Sequence, residues 1–516
     1  MNGAQALIGT LAGSGVDVCF SNPGTSEMHF VASLDTVPQL RGVLCLFEGV
    51  ATGAADGYGR MTGRPAATLL HLGPGLANGL ANLHNARRAG TPLVNVVGEH
   101  ATYHKRFDAP LESDIDSLAR PVSHWIRRTA RAADAAADAA EAVAAALGPP
   151  GGVATLVLPA DVSWSGDAEP APPVPPRGPS LVPDAVIGEA ASALRGGASV
   201  ILLGGAALRR PGLEAASRIA AATGARLLGE TFPARLERGA GLPGLERLAY
   251  LAEFAQAQLA GTRQLILAGA RAPVSFFAYP GLPSSLVPAG VQVHTLARPG
   301  EDVCGALAAL AERVAPQARP RPQPEQRPAL PGGGLTAETA AAVIGALLPE
   351  GAIVSDEANT SGLSLPAATA GAPPHDWLTL TGGAIGQGLP VATGAAVACP
   401  DRSVLALDSD GSAMYTIQAL WTQAREGLDV TTVIFSNRRY AILDLELQRV
   451  GAVAGGDAAR SLLDLSRPDL DFAALARGMG VPAARAASAG EFADALRRAL
   501  AEPGPHLIEA LLSQAG

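Results

Sequence analysis

Short apolar runs alternate with longer alanine-rich segments along the whole chain, and this alternation predicts the fold. The apolar runs are long enough to form buried strands. They are residues 16–20, 43–47, 66–70, 93–97, 200–203, 265–267, 404–407 and 431–435. Among the alanine-rich segments, residues 131–148 predict a surface helix that ends at a glycine. Strands that alternate with helices predict parallel sheets covered on both faces, so we expect a doubly wound α/β architecture.

Two proline-rich stretches interrupt the alternation and divide the chain. Residues 165–183 and 315–334 carry too many prolines for packed helices or central strands, so we interpret both as linkers. The sequence therefore predicts three α/β domains, residues 1–164, 184–314 and 335–516, each with its own parallel sheet.

Composition excludes several classes of function. The 516-residue chain has a formal net charge of -9, and Lys105 is its only lysine. The sequence therefore has no basic stripe of the kind that binds nucleic acid, and we do not expect nucleic acid as a partner. No apolar run is long enough to cross a membrane, and the N-terminus lacks the pattern of a secretory signal, so we expect a cytoplasmic location. Four cysteines lie far apart without a metal-binding spacing and are expected to be reduced thiols. They are Cys19, Cys45, Cys304 and Cys399.

Familiar nucleotide-binding patterns are missing. The chain contains no GxxxxGK[ST] motif, so we do not expect a P-loop nucleotide hydrolase. The glycine-rich residues 202–212 follow a predicted strand but do not match GxGxxG, which argues against a flavin or a nicotinamide in the middle domain.

A polar cluster follows the predicted strand at residues 404–407. It contains Asp410, Gly411 and Ser412, a combination that suits a phosphate group together with a hard cation. The next predicted strand ends just before Asn437, which would bring an amide oxygen into the adjacent loop. Each half also has a simpler reading, an Asp-Gly turn and a helix N-cap asparagine, and these alternatives stay open from the residues alone.

The spacing of this pair resembles the diphosphate- and Mg²⁺-binding motif of thiamine diphosphate-dependent enzymes, with 25 residues (412 to 436) between the glycine and the asparagine. The resemblance implies that Asp410, the Asn437 side chain and the Arg439 carbonyl hold Mg²⁺, while Gly411 and Ser412 contact the diphosphate. Members of the family usually have glycine at the position of Ser409. The remaining cofactor contacts that the resemblance implies are Asn22, Pro23, Asn78, Tyr440, Ala441 and Ile442.

Two further segments resemble the same family. Residues 46–63, "LFEGVATGAADGYGRMTG", look like its strand, glutamate and helix segment, which implies that Glu48 hydrogen-bonds to N1′ of the cofactor pyrimidine. A helix cap is the alternative role for this carboxylate. Residues 379–396 resemble the loop that grips the pyrimidine, with Gly383 offering its carbonyl to the 4′-amino group and Ile385 supporting the bent cofactor.

Within the family, the likeness is to acetolactate synthases and benzoylformate decarboxylases. It rests on residues 22–27, "NPGTSE", and on residues 70–86 and 91–100. In that branch the active site forms between the first domain of one subunit and the third domain of another. The resemblance therefore implies a homodimer or a homotetramer.

Residues of the substrate pocket are also implied by this likeness. His71 matches the active-site histidine of benzoylformate decarboxylases and would relay protons, and Thr25 stands where they have serine. Phe276 and Phe277 lie near the position of their second histidine, and Leu443 stands where pyruvate decarboxylases have a glutamate. The alternative for His71 is a histidine packed in the core. For His100 and His104, the alternative is likewise a structural role.

The function implied by the resemblance is decarboxylation of a small-molecule 2-oxo acid with thiamine diphosphate and Mg²⁺, followed by ligation of the acyl carbon to a second carbonyl, as in acetolactate synthases. Two alternatives stay open. The chain can be a non-ligating 2-oxo acid decarboxylase, or a catalytically silent subunit that binds thiamine diphosphate. FAD is not expected, because the middle domain shows no flavin-binding features.

Overall fold

The structure is a computed structural model that describes residues 1–452 and 456–513. Its strands are β1 (Val18–Asn22), β2 (Arg41–Leu44), β3 (Ala66–Leu70), β4 (Leu93–Glu99), β5 (Trp125–Arg128), β6 (Val153–Pro159), β7 (Ser199–Leu203), β8 (Arg226–Gly229), β9 (Leu236–Arg238), β10 (Glu246–Arg247), β11 (Gln264–Ala268), β12 (Gln292–Ala297), β13 (Ile353–Glu357), β14 (His375–Thr379), β15 (Val404–Ser409), β16 (Val430–Ser436), β17 (Ala483–Ala486) and β18 (His506–Leu511).

The α-helices fill the segments between the strands. They are α1 (Gly3–Gly13), α2 (Met28–Ser33), α3 (Glu48–Thr62), α4 (Leu72–Ala89), α5 (Ile115–Ala119), α6 (Ala135–Leu147), α7 (Ala160–Trp164), α8 (Asp184–Arg195), α9 (Arg210–Thr223), α10 (Ala252–Leu259), α11 (Val303–Val314), α12 (Ala337–Leu347), α13 (Leu365–Ala368), α14 (Gly388–Ala398), α15 (Asp410–Ala413), α16 (Ala419–Glu426), α17 (Ala441–Arg449), α18 (Asp457–Ser461), α19 (Phe472–Gly478) and α20 (Ala489–Ala501).

Three sheets organise the described chain. The first has six strands in the order β2-β1-β3-β4-β6-β5, and the second has five in the order β10-β8-β7-β11-β12. The third has seven strands in the order β17-β18-β16-β15-β13-β14-β9. Nearly all of the pairings are parallel, so the expected parallel α/β architecture with three sheets is confirmed.

Strand β9 is the exception to the parallel pairing. It comes from the chain between β8 and β10, yet it joins the third sheet as an antiparallel edge strand. Leu236 lies opposite Trp377, and Arg238 lies opposite His375. The middle part of the chain therefore completes a sheet whose other strands all come from the C-terminal part.

Helices α3 and α14 join the first sheet region to the third. A Cβ on Gly57 would lie 2.1 Å from the Val391 carbonyl oxygen, and a Cβ on Gly394 would lie 1.8 Å from the Ala54 carbonyl oxygen. Only glycine permits such close contact between the two backbones. The helix crossing fixes how these two parts of the chain meet.

Arg60 on α3 connects all three parts. It forms a buried ion pair with Asp56 and donates to the Thr379 carbonyl at 2.8 Å and to the Ala234 carbonyl at 3.3 Å. A buried guanidinium needs this many acceptors, because an unpaired charge in the interior is costly.

Some local expectations were wrong. Strand β2 ends at Leu44, so the apolar stretch before Glu48 is loop rather than strand. Helix α6 is largely buried instead of lying on the surface, because its alanines are small enough to pack closely on α1.

Cys19 and Cys45 are buried free thiols. No helix in the described part of the chain is long and apolar enough to cross a membrane.

Candidate active site

Glu48 is held at the point where the carboxyl ends of β1, β2 and β3 meet. It is the first residue of α3 and is only 7% exposed. Its Oε1 accepts a hydrogen bond from Asn22 Nδ2 at 3.2 Å, and its Oε2 accepts one from Asn78 Nδ2 at 3.0 Å. Three residues predicted from separate segments are therefore in direct contact. The start of a helix also favours a negative charge at this position.

A second asparagine on α4 links this region to the third sheet. Asn82 Nδ2 donates to the Gly49 carbonyl at 2.8 Å and to the Gly386 carbonyl at 3.1 Å. Asn85, one turn later, donates to the Ala384 carbonyl at 2.8 Å. Helix α4 thus supports both the start of α3 and the loop that contains Gly383.

His71 pairs with a carboxylate that the sequence analysis did not single out. The His71 Nδ1 lies 2.8 Å from Glu27 Oε2, which also accepts a hydrogen bond from the Gly24 amide at 2.7 Å. The Glu27 Oε1 is buried and has no hydrogen-bond partner. Burial raises the pKa of Glu27, although the neighbouring histidine and the Gly24 amide act in the opposite direction. The pair can therefore hold and pass a proton.

Glu27 could have been found from the motif that it closes. It is the last residue of "NPGTSE", three residues after Gly24, and such a residue can reach back to an amide at the start of a helical turn. Thr25 is exposed on the same turn, and Pro23 is half-buried beside it.

The polar cluster after β15 meets the loop after β16, as predicted. Asp410 Oδ2 accepts a hydrogen bond from the Arg438 amide at 2.6 Å, and Oδ1 accepts one from the Gly411 amide at 2.9 Å. In the same loop, Asn437 Oδ1 accepts a hydrogen bond from the Arg439 amide at 3.0 Å. Burial raises the pKa of Asp410, and the backbone amides oppose that shift. A carboxylate, an amide oxygen and a nearby backbone carbonyl form a donor set that suits Mg²⁺.

Gly411 lies under the ring of Tyr440. A Cβ at this glycine would lie 2.3 Å from Tyr440 Cε1, so no other residue fits between the ring and the loop. Ser412 Oγ donates to Asp408 Oδ1 at 2.5 Å, and the other oxygen of Asp408 is buried without a hydrogen-bond partner. Asp408 therefore holds the Ser412 hydroxyl in place by this hydrogen bond.

Ser409, the departure from the family pattern, has a structural role. Its hydroxyl donates to the Ala358 carbonyl at 2.9 Å and so ties the end of β15 to the turn after β13. Asn359 in that turn has a φ of 49° and lies with its Nδ2 3.5 Å from Ser412 Oγ. This asparagine was not predicted from the sequence, because its proximity to the cluster depends on the adjacent strands.

Glu357, at the end of β13, was also missed. Its carboxylate accepts hydrogen bonds from the Gly386 amide at 2.8 Å and from the Gly388 amide at 2.5 Å. Burial raises its pKa to about 7, and these amides act in the opposite direction. A Cβ on Gly388 would lie 2.7 Å from Asp408 Oδ2, so both carboxyl groups press against the start of α14. Glu357 fixes the end of the loop that contains Gly383 and Ile385.

Gly383 lies against an aromatic ring of the middle sheet region. Its φ is 76°, and a Cβ here would lie 2.4 Å from Phe276 Cζ. Phe276 and Phe277 are exposed side chains whose ring centroids lie 5.0 Å apart. On α17, Ala441 and Ile442 are half-buried, and Leu443 is 44% exposed. Among the predicted substrate residues, His71 therefore has a polar partner, whereas Phe276, which lies beside Gly383, Phe277 and Leu443 are apolar.

Two parts of the chain match known protein families. Residues 1–119 match the family described as "Thiamine pyrophosphate enzyme, N-terminal TPP binding domain". Residues 365–510 match its counterpart, "Thiamine pyrophosphate enzyme, C-terminal TPP binding domain". The first range contains the Glu48 and His71 clusters, and the second contains the cluster around Asp410.

Individual proteins resemble the chain over nearly its whole length. A Mycobacterium tuberculosis protein, provisionally named an acetolactate synthase large subunit, is 65% identical and covers 99% of both chains. Benzoylformate decarboxylase of Pseudomonas aeruginosa is 33% identical over 96% of both chains. Among solved structures, the thiamine diphosphate-dependent 4-hydroxybenzoylformate decarboxylase of Rhodococcus jostii RHA1 is similar, with a TM-score of 0.86, 26% identity and full coverage of both chains.

Proposed function

Because this chain belongs to the thiamine diphosphate-dependent enzymes, of the acetolactate synthase and benzoylformate decarboxylase type, we propose that it decarboxylates a 2-oxo acid with thiamine diphosphate and Mg²⁺. The observation that carries this proposal is the Glu48 carboxylate. Both of its oxygens accept amide hydrogens, and it lies at the start of a helix in the N-terminal matched region.

The residues present fit the cofactor. Asp410, Asn437 and the Arg439 carbonyl would hold Mg²⁺, and Gly411 and Ser412 would contact the diphosphate. The Gly383 carbonyl and the Ile385 side chain would position the pyrimidine. When bound, thiamine diphosphate would supply an electron sink for the pair left on the acyl carbon as CO₂ departs.

Glu48 would then hydrogen-bond to the pyrimidine nitrogen. Asn22 and Asn78 orient its carboxylate, so that little reorganisation is required when the cofactor binds. His71 would exchange a proton with the substrate or product through Nε2, because the contact with Glu27 occupies its Nδ1. Glu27 would keep the imidazole ring in one orientation.

Ligation to a second carbonyl is the second candidate function. The apolar side chains of Phe276, Phe277 and Leu443 favour it, because none of them can give a proton to the acyl carbon from that side. The acetolactate synthase name of the 65% identical relative supports the same alternative.

We also propose a homodimer or homotetramer with active sites between subunits. Large apolar side chains are exposed next to both halves of the site, which supports a covering partner. Leu46, two residues before Glu48, is 47% exposed, and Tyr415, three residues after Ser412, is 53% exposed.

The test is CO₂ release and product identity for the purified protein with Mg²⁺ and thiamine diphosphate, offered pyruvate and then benzoylformate. A Glu48→Gln variant is the control. We expect CO₂ from at least one acid, released about a thousandfold more slowly by the variant. Free aldehyde would indicate a decarboxylase, whereas a coupled product such as acetolactate would indicate ligation. Cofactor binding without any CO₂ would contradict the proposal and favour a silent binding protein.

A further inference from the structure

Helix α17 is attached to the middle part of the chain through one carboxylate. Glu446 Oε2 accepts a hydrogen bond from the Tyr279 hydroxyl at 2.8 Å, and Oε1 accepts one from the Tyr250 hydroxyl at 3.3 Å. Burial and the adjacent carboxylate raise the pKa of Tyr250, so its hydroxyl stays a donor at neutral pH. Hydrogen bonds to an ionised acceptor are stronger than those between neutral groups.

Arg449, one turn later, reinforces this attachment. Its Nη1 lies 2.7 and 2.9 Å from the two carboxylate oxygens of Glu253, and its guanidinium carbon lies 4.4 Å from the centre of the Tyr279 ring. The same tyrosine therefore contacts Glu446 with its hydroxyl and Arg449 with its ring face.

The opposite end of α17 lies on the proposed diphosphate loop. Tyr440, the N-cap of the helix, covers Gly411, and the Arg438 amide donates to Asp410. The helix thus extends from the loop that would bind the cofactor to the tyrosines of the middle region. Leu443 lies between these two attachments, 44% exposed.

Tyr250 also belongs to an aromatic cluster that reaches Gly383. Its ring centroid lies 5.2 Å from that of Phe276, which in turn lies 5.8 Å from Phe232 and 5.0 Å from Phe277. Phe276 is the ring that packs against Gly383. The hydrogen bond from the Tyr250 hydroxyl to Glu446 therefore links Phe276 to α17, the helix that carries Leu443.

We propose that Glu446 is a positioning residue that fixes the distance between α17 and Phe276 and so sets the size of the pocket for the acyl group of the substrate. This inference rests on the proposed function. Because the hydroxyls of Tyr250 and Tyr279 donate to Glu446, neither tyrosine keeps a free polar group near α17. Phe276, Phe277 and Leu443 are the exposed apolar side chains next to this attachment, and they suit a large apolar acyl group, such as an aryl group, better than the methyl group of pyruvate.

Binding measured without turnover tests the inference. In a Glu48→Gln background, calorimetry would give the affinities for benzoylformate and for pyruvate with Mg²⁺ and thiamine diphosphate present. Adding Glu446→Ala is expected to weaken benzoylformate binding about tenfold and pyruvate binding less than about threefold. Glu446→Gln, which keeps an acceptor, should recover most of the loss. Asp444→Asn removes a carboxylate from the same helix and should change neither affinity.

Hydrogen exchange of the cofactor-free protein provides a second readout. Glu446→Ala should accelerate exchange of the amides at residues 441–449 about tenfold and leave exchange in the first sheet unchanged. Equal weakening for both acids, or unchanged exchange in α17, would overturn the inference while the proposed function stands. Failure of the Glu48→Gln protein to bind either acid, together with no CO₂ from the unmodified protein, would overturn both.

Discussion

The carboxyl ends of the first and third sheets carry buried acids in different surroundings. At the first sheet, Glu48 is held by side-chain amides, and Glu27 by a histidine and one backbone amide. At the third sheet, Asp410 and Glu357 are held mainly by backbone amides. Backbone donors fix the loop itself, whereas side-chain donors fix only the carboxylate. We infer that the first edge orients groups for proton chemistry and the third edge holds a binding loop in shape.

Glu48→Gln gives the largest expected effect. The variant keeps the shape of the side chain but loses its charge, so kcat should fall about a thousandfold while the affinity for thiamine diphosphate changes less than about threefold. Steady-state kinetics and calorimetric titration of the cofactor measure the two quantities. A large loss of cofactor affinity would contradict the distinction between a first-sheet edge for proton chemistry and a third-sheet edge for cofactor binding.

Asp410→Asn should show the opposite pattern. Loss of a charged ligand is expected to weaken Mg²⁺-dependent cofactor binding by about 10- to 100-fold, and kcat should recover when both are supplied in excess. The same titration measures this change, with Asp444→Asn as a control. A kcat that stays low at saturation would place Asp410 among the groups that take part in the chemistry.

Glu27→Gln tests the proton-carrying role of the pair with His71. Because burial raises the pKa of Glu27 above its ordinary value, we expect the change to lower kcat/KM about tenfold and to alter the shape of its pH profile. Asp35→Asn, an exposed carboxylate nearby, is the control. A uniform loss with the same pH profile would indicate that Glu27 only packs the site.

Glu357→Gln gives the smallest expected effect, on stability. The pKa of this carboxyl group is raised to about 7 in the folded state, above its ordinary value of 4.5. Its contribution to stability is therefore complete below pH 4.5 and is lost as the pH rises through 7. Relative to the variant, the unmodified protein should lose on the order of 1 kcal/mol of unfolding free energy between pH 5.5 and 8. Urea unfolding at both pH values measures this difference.

The parts of the site that were predictable lie where parallel strands end. The contact of Asn22 with Glu48, and that of Asp410 with the loop of Asn437, both follow from adjacent strands whose carboxyl ends share one edge. The family and the parallel α/β fold are confirmed. The roles of the individual site residues stay predictions.

The missed residues depend on distant parts of the chain. Glu27 is buried because Gly98 leaves space for its carboxylate, and a Cβ there would lie 1.6 Å from Oε1. Glu357 depends on the return of the loop at Gly386 and Gly388. Local periodicity contains no information about either contact. The same reason explains why the burial of α6 and the pairing of β9 were not predicted.

The pairing of β9 with β14 has a consequence for biosynthesis. Residues 236–238 are synthesised about 140 residues before their partner, His375–Thr379. Until then β9 has no neighbouring strand in its final sheet, so its backbone N–H and C=O groups lack their strand partners in the nascent chain. The third sheet can acquire β9 only after the whole chain between the two strands has emerged, so residues 335–516 expressed alone would lack β9 and leave β14 at the edge of the sheet.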